Sequence, residues 1–342
     1  MTARFLSAIP MPAALVSTQF IARFGAELQA LAERCGKPLS FITLPEQNGA
    51  RLSQADCERI DCIFLDREIR FNEQANAAYR AALPAASNVK WVHYANSGIG
   101  QQYLVAELQA RGVVLTSSTG SNAEPVAQTG MTDLLMMARG FPTYIQGQHR
   151  HEWRPLRGAA LPDDLRGQTV LLIGVGAVGT VFGGYARAFG LKVIGVRRSA
   201  QQAGDPVDEM HPPTKLGQLL PRADWIVVSC PLTKETRNLL DAAAFARMKP
   251  GARLINIARG EIVDEAAMIE ALKSGRLAGA ALDAHRQEPL PKDSPLWDLP
   301  NVIVTPHNAS ASSGNEQRCA EMFIANFGHW LRGEPLFNVQ RV

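Results

Sequence analysis

Three ionisable residues in the C-terminal half of this chain are of the types that acid–base catalysis uses. They are Arg259, Glu288 and His307, and each stands within a few residues of the end of a short apolar run. Histidine changes its charge near neutral pH, a carboxylate can orient it, and arginine binds anions in a fixed geometry. Gathered in one crevice, the three side chains would form a catalytic set.

The elements that must position these residues are predicted to form a parallel sheet. From Thr169 onward six short runs are apolar almost without interruption, as strands buried on both faces require. They cover residues 170–173, 193–196, 225–228, 254–257, 280–282 and 302–304, with helix-like segments between them. This pattern predicts a doubly wound sheet, whose ligands bind beyond the carboxyl ends of the strands. The predicted meeting point of Arg259, Asp283, Glu288 and His307 is that crevice.

The first of the six runs ends in the glycine pattern Gly174-Val-Gly176-Ala-Val-Gly179. A bare GxGxxG is weak evidence, but here a predicted strand precedes it and a predicted helix follows. Gly174 allows the tight turn, Gly176 lets the backbone approach a pyrophosphate, and Gly179 permits close packing of helix on sheet. This context predicts a dinucleotide site that includes Ala177 and Val178. The alternative is a plain βα turn.

The second run is followed by Arg197-Arg198-Ser199, where NAD-binding folds usually place an acidic residue. A carboxylate would repel a 2′-phosphate, whereas guanidinium groups bind it by charge-assisted hydrogen bonds. The sequence therefore favours NADP, with NAD as the lesser alternative, and a solvated basic turn is the structural alternative. The other candidate cofactor residues stand at the ends of the later runs: Cys230, Pro231, Ile257, Ala258 and Asp283.

Each candidate catalytic residue also has a structural alternative. His307 could be a hydrogen-bonded structural histidine, Glu288 a solvated loop residue and Arg259 a salt-bridge partner. Their shared location on loops at strand ends favours function, because open α/β sheets bind ligands there.

The rest of the chain carries weaker signals. The first third alternates short apolar runs with helix-like segments, which predicts further βα units. Residues 121–139 predict one long helix that ends at Gly140-Phe141-Pro142, and the polar stretch after it predicts no clear element. His149 and His151 in that stretch have the spacing of metal ligands, but without an acidic or cysteine partner they predict no metal site.

Composition limits the class of protein. A chain of 342 residues suggests about two domains and can bury a core without disulfides or structural metal. A formal net charge of +3 without blocks of like charge argues against nucleic-acid and membrane partners. Five scattered cysteines without a CxxC pair indicate reduced thiols. No run reaches the length of a membrane span and prolines interrupt the N-terminal apolar residues, so the expected location is cytoplasmic.

Five stretches between residues 165 and 310 resemble the D-isomer-specific 2-hydroxyacid dehydrogenases. In the family's order they are TVLLIGVGAVG (169–179), SCPLTKETRNLL (229–240), LINIARGEIVDEAAMIEAL (254–272), GAALDAHRQEPLP (279–291) and NVIVTPHNAS (301–310). The first third matches more loosely, at residues 96–100 and 120–127.

The resemblance assigns roles to individual residues. The family's catalytic Arg, Glu and His fall on Arg259, Glu288 and His307, and its Asp near the nicotinamide falls on Asp283. Its substrate-carboxylate loop, which uses backbone N–H groups, falls on Ile99 and Gly100.

Three positions depart from the family pattern. Gln128 follows Val126-Ala127, where the family usually has the glutamate of a VAE sequence. Gln101 stands where the family's glycine loop usually continues to an aspartate, and Ala284-His285 replaces the apolar pair that usually follows the aspartate at position 283. These departures concern the identity of the substrate rather than the chemistry.

The resemblance also implies an architecture, namely a Rossmann-type doubly wound parallel sheet inserted into a smaller flavodoxin-like α/β substrate domain. The substrate domain would comprise residues 1–118 and 310–342, and the NAD(P)-binding domain residues 119–309. A homodimer is implied as well, commonly built on the nucleotide domain and on the arm around residues 140–160.

The expected function is that of an NADP-preferring oxidoreductase, similar to the glyoxylate/hydroxypyruvate reductases, that interconverts a small 2-oxo acid and its D-2-hydroxy acid. His307 and Glu288 would form the acid–base pair, and Arg259 would bind the substrate carboxylate. A nucleotide-sensing, corepressor-like binding protein on the same scaffold is the competing hypothesis, and a dehydrogenase acting on phosphite or formate is a third.

Overall fold

The computed structural model describes residues 11–45, 49–99, 102–158 and 161–341. The chain divides into two compact units, Met1–Ser121 together with Ser313–Val342, and Asn122–Ser312. Each unit contains one parallel sheet with helices, so the predicted α/β class is confirmed. Among the helices in the described ranges, none has both the length and the apolar character that a bilayer crossing needs.

The first unit is built on five short strands. They are β1 (Ala13–Leu15), β2 (Ser40–Ile42), β3 (Cys62–Leu65), β4 (Trp91–Tyr94) and β5 (Val114–Ser117), paired in the order β2-β1-β3-β4-β5. Its helices are α1 (Thr18–Arg34), α2 (Gln54–Arg59), α3 (Arg67–Phe71), α4 (Glu73–Ala82), α5 (Val105–Ala110) and, at the end of the chain, α12 (Asn315–Arg332). The βα units predicted for the first third are therefore confirmed.

An aromatic core joins the C-terminal helix of this unit to its sheet. Phe323 of α12 stacks on Phe64 of β3, with ring centroids 4.6 Å apart, and on Trp91 of β4 at 5.1 Å. All three rings are fully buried, and aromatic side chains bury more apolar area than any others. The C-terminal helix therefore belongs to the same core as the first third of the chain.

The second unit is built on seven strands. They are β6 (Thr169–Ile173), β7 (Lys192–Val196), β8 (Glu209–His211), β9 (Trp225–Val228), β10 (Ala252–Asn256), β11 (Leu277–Leu282) and β12 (Val302–Val304), paired in the order β12-β11-β10-β9-β6-β7-β8. The helices are α6 (Ala123–Ala138), α7 (Phe141–His149), α8 (Ala177–Ala188), α9 (Leu216–Leu219), α10 (Ala242–Arg247) and α11 (Glu265–Lys273).

Both faces of this sheet are buried, as its apolar runs predict. Successive side chains of a strand point to opposite faces, so Leu171 and Leu172 enter different cores. The six predicted strands are all present, and the chain crosses over between β6 and β9. This order places the carboxyl ends of β6, β9, β10 and β11 side by side.

Candidate active site

The turn after β6 has the geometry that the glycine pattern predicts. Gly174 has φ +102°, and a Cβ there would lie 2.5 Å from the backbone nitrogen of Cys230. At Gly179 a Cβ would lie 2.1 Å from the Gly174 carbonyl oxygen, so the helix packs closely on the turn. Substitution at either position is therefore sterically excluded.

Gly176 differs from these two glycines, because a Cβ there would meet no protein atom within 4 Å. It precedes the twelve-residue helix α8, whose first residue, Ala177, is exposed while Val178 is half-buried. An exposed helix N-terminus with bare backbone is suited to an anion, since its N–H groups lack partners within the helix. The residues of this turn therefore fit the pyrophosphate of a dinucleotide cofactor.

Arg197, the first residue after β7, is engaged by the protein itself. Its guanidinium donates to both carboxylate oxygens of Asp205, at 2.6 and 2.9 Å. Three carbonyl oxygens accept its remaining N–H groups, those of Val175, Ser199 and Ala200. Because a guanidinium has five N–H donors, this arrangement uses all of them.

The next two residues are exposed instead. Arg198 and Ser199 both have exposed side chains. In the part of the chain that the structure describes, Arg198 makes neither a hydrogen bond nor an ion pair. The two arginines of the predicted phosphate site are therefore in different environments, and only Arg198 has N–H donors to spare.

The loops after β9 and β10 carry four of the predicted cofactor residues. Cys230 is 9% exposed, and burial raises the pKa of its thiol to about 11, so it is not a reactive thiolate. Pro231 next to it is exposed, whereas Ile257 and Ala258 after β10 are buried. At β10 the amide of Asn256 accepts a hydrogen bond from Ala258 N–H at 3.1 Å and donates to the Arg259 carbonyl at 3.0 Å. Sequence reasoning missed this amide, which shapes the loop.

Arg259 is exposed on that loop, and its guanidinium donates to the Ala258 carbonyl at 2.6 Å. The following residue, Gly260, lies against the backbone of His285, where a Cβ would come within 2.0 Å of the His285 carbonyl carbon. The loop that carries Arg259 is thereby held against the segment that leads to Glu288.

Glu288 and His307 form a hydrogen-bonded pair. Glu288 Oε2 lies 2.7 Å from His307 Nδ1, and both side chains are 38% exposed. The other carboxylate oxygen accepts the His285 N–H at 2.9 Å. Partial burial raises the pKa of Glu288, but the hydrogen bonds from His285 and His307 outweigh it, so the pKa is lowered. The carboxylate occupies Nδ1, so Nε2 is the ring nitrogen left for a ligand.

Asp283 fastens the loop of His307 to the end of β11. It is 2% exposed and accepts hydrogen bonds from Thr305 Oγ1 at 2.7 Å and from the N–H groups of Asn308 and Ala309 at 2.9 Å. The backbone of His307 itself is left-handed, with φ +51°, which is uncommon for a residue with a side chain. The Asp283 contacts therefore hold a backbone that would otherwise relax.

A second buried carboxyl, that of Asp133 on α6, lies close enough to Asp283 to be influenced by its charge. Asp133 is 4% exposed, and burial together with the Asp283 charge raises its pKa to about 7. Sequence reasoning missed it, although a single acidic residue on an apolar helix face is a visible signal.

The remaining predicted residues lie in the other unit or outside the description. Ile99 belongs to the first unit and is 2% exposed, with its carbonyl accepting the Gln102 N–H at 2.9 Å. Gly100 and Gln101 lie outside the described residues. Over residues 11–45, 49–99, 102–158 and 161–341, no group of three or more His, Cys, Asp or Glu side chains is arranged to hold a metal ion.

Comparison with known proteins agrees with the family resemblance seen in the sequence. The family model for the D-isomer specific 2-hydroxyacid dehydrogenase NAD binding domain matches residues 131–309. Glyoxylate reductase of Korarchaeum cryptofilum is 34% identical over 237 residues, which cover 67% of this chain and 70% of that protein. Glyoxylate/hydroxypyruvate reductase B of Citrobacter koseri is 35% identical over 272 residues, 77% of this chain and 80% of that one.

A solved structure extends the similarity to nearly the whole chain. The D-isomer specific 2-hydroxyacid dehydrogenase of Xanthobacter autotrophicus Py2, in complex with NADPH and MES, has a TM-score of 0.69 at 27% identity. The match covers 97% of this chain and 98% of that one. The chain therefore belongs to the D-isomer specific 2-hydroxyacid dehydrogenase family, and is an oxidoreductase that uses a nicotinamide cofactor on a small 2-oxo or 2-hydroxy acid.

Proposed function

We propose that this protein is an NADP-preferring reductase that converts a small 2-oxo acid into its D-2-hydroxy acid. The observation that carries the proposal is the 2.7 Å contact between Glu288 and Nδ1 of His307, on loops at the strand ends of the nucleotide-binding sheet. The names of the two relatives above support glyoxylate and hydroxypyruvate as the first substrates to test.

In this proposal His307 is the general acid. When bound, the nicotinamide cofactor supplies a hydride to the carbonyl carbon of the substrate. His307, protonated, donates the Nε2 proton to the carbonyl oxygen and becomes neutral, which completes the alcohol. Glu288 stabilises the imidazolium and orients the ring through Nδ1.

Two groups hold the substrate carboxylate in this proposal. The exposed guanidinium of Arg259 binds it and stabilises negative charge as it develops on the carbonyl oxygen. The backbone N–H groups of Ile99 and Gly100 would bind the other side of the same carboxylate, as the family resemblance implies. Residues 1–118 and 310–342 are accordingly proposed as the substrate domain, and residues 119–309 as the cofactor domain.

The NADP preference is assigned to Arg198 and Ser199. Arg198 is exposed and has its donors available, whereas Arg197 spends all of its donors on the protein. A guanidinium binds a phosphate dianion by charge-assisted hydrogen bonds, and a hydroxyl adds another. The Xanthobacter structure, which contains NADPH, supports this reading.

A homodimer is proposed through α7 and the segment after it. Trp153 is 95% exposed, and Phe141, Tyr144 and Ile145 are also exposed. A cavity of about 530 Å³ beside them is lined in part by Tyr144, His151, Trp153 and Arg154. Large exposed apolar side chains next to a concave surface are typical of protein interfaces.

The decisive experiment is an assay of NADPH and NADH oxidation with glyoxylate, hydroxypyruvate and other 2-oxo acids. Formate and phosphite with the oxidised cofactors complete the panel. We expect turnover with at least one 2-oxo acid and a higher kcat/KM with NADPH. Tight cofactor binding without turnover of any compound would instead support the nucleotide-sensing alternative, and turnover of formate or phosphite alone would support the third.

A further inference from the structure

His285 is buried in the loop that carries Glu288, against the loop that carries His307. It is 6% exposed and stands three residues before Glu288, at one of the positions where this chain departs from the family's apolar pattern. A buried polar ring at such a position needs a reason, because burying polar atoms costs free energy unless they are hydrogen-bonded.

The main chain of His285 contacts one member of the pair. Its N–H donates to Glu288 Oε1 at 2.9 Å, which turns Oε2 toward His307. This contact does not depend on the side chain and would survive its replacement.

The imidazole of His285 contacts the backbone of the other member's loop. Its Nε2 lies 2.9 Å from the carbonyl oxygen of Thr305. A carbonyl can only accept, so Nε2 carries the proton and donates. The same oxygen accepts the N–H of His307 at 3.1 Å. The ring of His285 is thus one hydrogen bond away from the strained backbone of His307.

The second ring nitrogen of His285 has no such contact. Nδ1 is buried and has no hydrogen-bond partner among the described residues. A buried polar atom left without a partner costs about 1–3 kcal/mol, and an apolar ring would avoid that cost. The stabilising contribution of this imidazole is therefore concentrated in the Nε2 contact with Thr305.

We propose that His285 is a positioning residue for the acid–base pair. Through Thr305 its ring holds the left-handed backbone of His307 in place, so that Nδ1 stays against Glu288 and Nε2 faces the substrate. His285 touches neither substrate nor cofactor in this scheme. The inference rests on the proposed function, because it requires His307 to be the proton donor.

The test compares two replacements of the ring. His285→Phe keeps the ring size and removes the donor, whereas His285→Gln keeps an N–H that can reach Thr305. We expect kcat with NADPH and the best 2-oxo acid to fall about tenfold in His285→Phe, the size of one lost hydrogen bond. His285→Gln should recover most of it, with the Kd for NADPH unchanged in both. His285→Leu carries the same expectation as His285→Phe and replaces it if the larger ring does not fold.

A double variant shows whether the effect passes through His307. If His285 acts by positioning His307, His285→Phe should slow the His307→Ala enzyme by less than twofold, because the group that it positions is gone. Equal losses in His285→Phe and His285→Gln, an unchanged kcat in His285→Phe, or a further tenfold loss in the double variant would each overturn the inference. A wild-type kcat in His307→Ala alone would instead refute the proposed function.

Discussion

Arg197 and Asp205 form a bidentate ion pair at the carboxyl end of β7, with nitrogen–oxygen distances of 2.6 and 2.9 Å. The N–H of Gln202 and the guanidinium of Arg197 hold the pKa of Asp205 below its usual value. The pair closes the loop between residues 197 and 205 and neutralises the charge of Arg197. Of the two adjacent arginines, only Arg198 then has an exposed guanidinium without a hydrogen bond or ion pair in the part of the chain that the structure describes.

The first prediction is that Arg198→Ala changes cofactor selectivity and Arg197→Ala does not. Losing a charged hydrogen bond to the 2′-phosphate, worth about 1.5–3 kcal/mol, should raise the KM for NADPH by about 10- to 100-fold. The KM for NADH should stay within about twofold. Steady-state kinetics with both cofactors measure this.

Arg197→Ala is the matched control. It opens the loop, so it should lower the Tm and weaken NADPH and NADH by the same factor. A selective loss of NADPH in Arg197→Ala, with Arg198→Ala unaffected, would reverse the assignment.

The second prediction concerns the charge of Glu288. His307→Ala should lose about 10²–10⁴ in kcat, the typical contribution of a general acid. Glu288→Gln keeps a hydrogen-bond acceptor at Nδ1 but removes the charge that favours the protonated ring.

The pH profile separates these roles. Despite partial burial, hydrogen bonds from His285 and His307 lower the pKa of Glu288, so its carboxylate stays charged further into acidic pH than an ordinary glutamate. Wild-type kcat should therefore show an acidic limb where Glu288 takes up a proton, and Glu288→Gln should lack that limb. An acidic limb of the same shape in both enzymes would remove Glu288 from the acid–base pair.

The third prediction contrasts two glycines of one motif. Gly176→Ala should fold normally, because its Cβ meets no protein atom within 4 Å, but should raise the Kd of either cofactor at least tenfold by blocking the pyrophosphate. Gly174→Ala places a Cβ 2.5 Å from Cys230 N at φ +102°, so it should lower the Tm strongly. Titration calorimetry and thermal melts distinguish the two. Normal NADPH affinity in Gly176→Ala would contradict the proposed cofactor site.

Parts of the fold could be predicted because strands that are buried on both faces have recognisable apolar sequences. Strand β9 is covered on both faces, so its sequence is continuously apolar. β8 (Glu209–His211) escaped prediction because a three-residue edge strand needs no apolar pattern. α7 escaped because Gly140 and Pro142 indicate a break, although glycine at φ +73° and proline in a first turn also suit a helix start.

Parts of the site could not be predicted because they depend on long-range contacts. Arg197 and Arg198 are the same residue type in consecutive positions, and only the location of Asp205 decides which one turns inward. The hydrogen bonds that Asp283 accepts from Thr305, Asn308 and Ala309 likewise join positions that are 22 to 26 residues apart in the sequence. Pattern and spacing identify the strand ends, whereas the hydrogen bonds between the loops at those ends are visible only in the structure.

The fourth prediction tests the proposed dimer through Trp153. A tryptophan that is exposed in the monomer and becomes buried at the centre of an interface is a frequent hot spot. Truncating such a residue typically costs about 2 kcal/mol or more of binding free energy. Trp153→Ala should therefore weaken self-association about 30-fold or more by light scattering over a dilution series. Trp297→Ala is the control, since Trp297 is also exposed, at 52%, but lies outside the arm. Equal effects of the two substitutions, or a monomeric wild type, would contradict the proposal.

The fifth prediction concerns the buried carboxyl of Asp133, whose pKa is raised to about 7 by burial and by the charge of Asp283. The folded protein keeps this proton at pH values where the unfolded chain has lost it. Folding stability therefore falls by a few kcal/mol as pH rises from about 4 to about 7, and the loss levels off above pH 7. Asn at this position has the shape of the protonated acid but never ionises.

Asp133→Asn should therefore have nearly the stability of the wild type at pH 4 and exceed it by a few kcal/mol at pH 8, as measured by urea denaturation without cofactor. Asp293→Asn, at an exposed carboxylate, is the control and should show no pH-dependent gain. A gain that is equal at both pH values would reflect the packing of the amide rather than the titration of Asp133. A gain confined to acidic pH would mean that the folded state prefers the charged carboxylate, contrary to its burial.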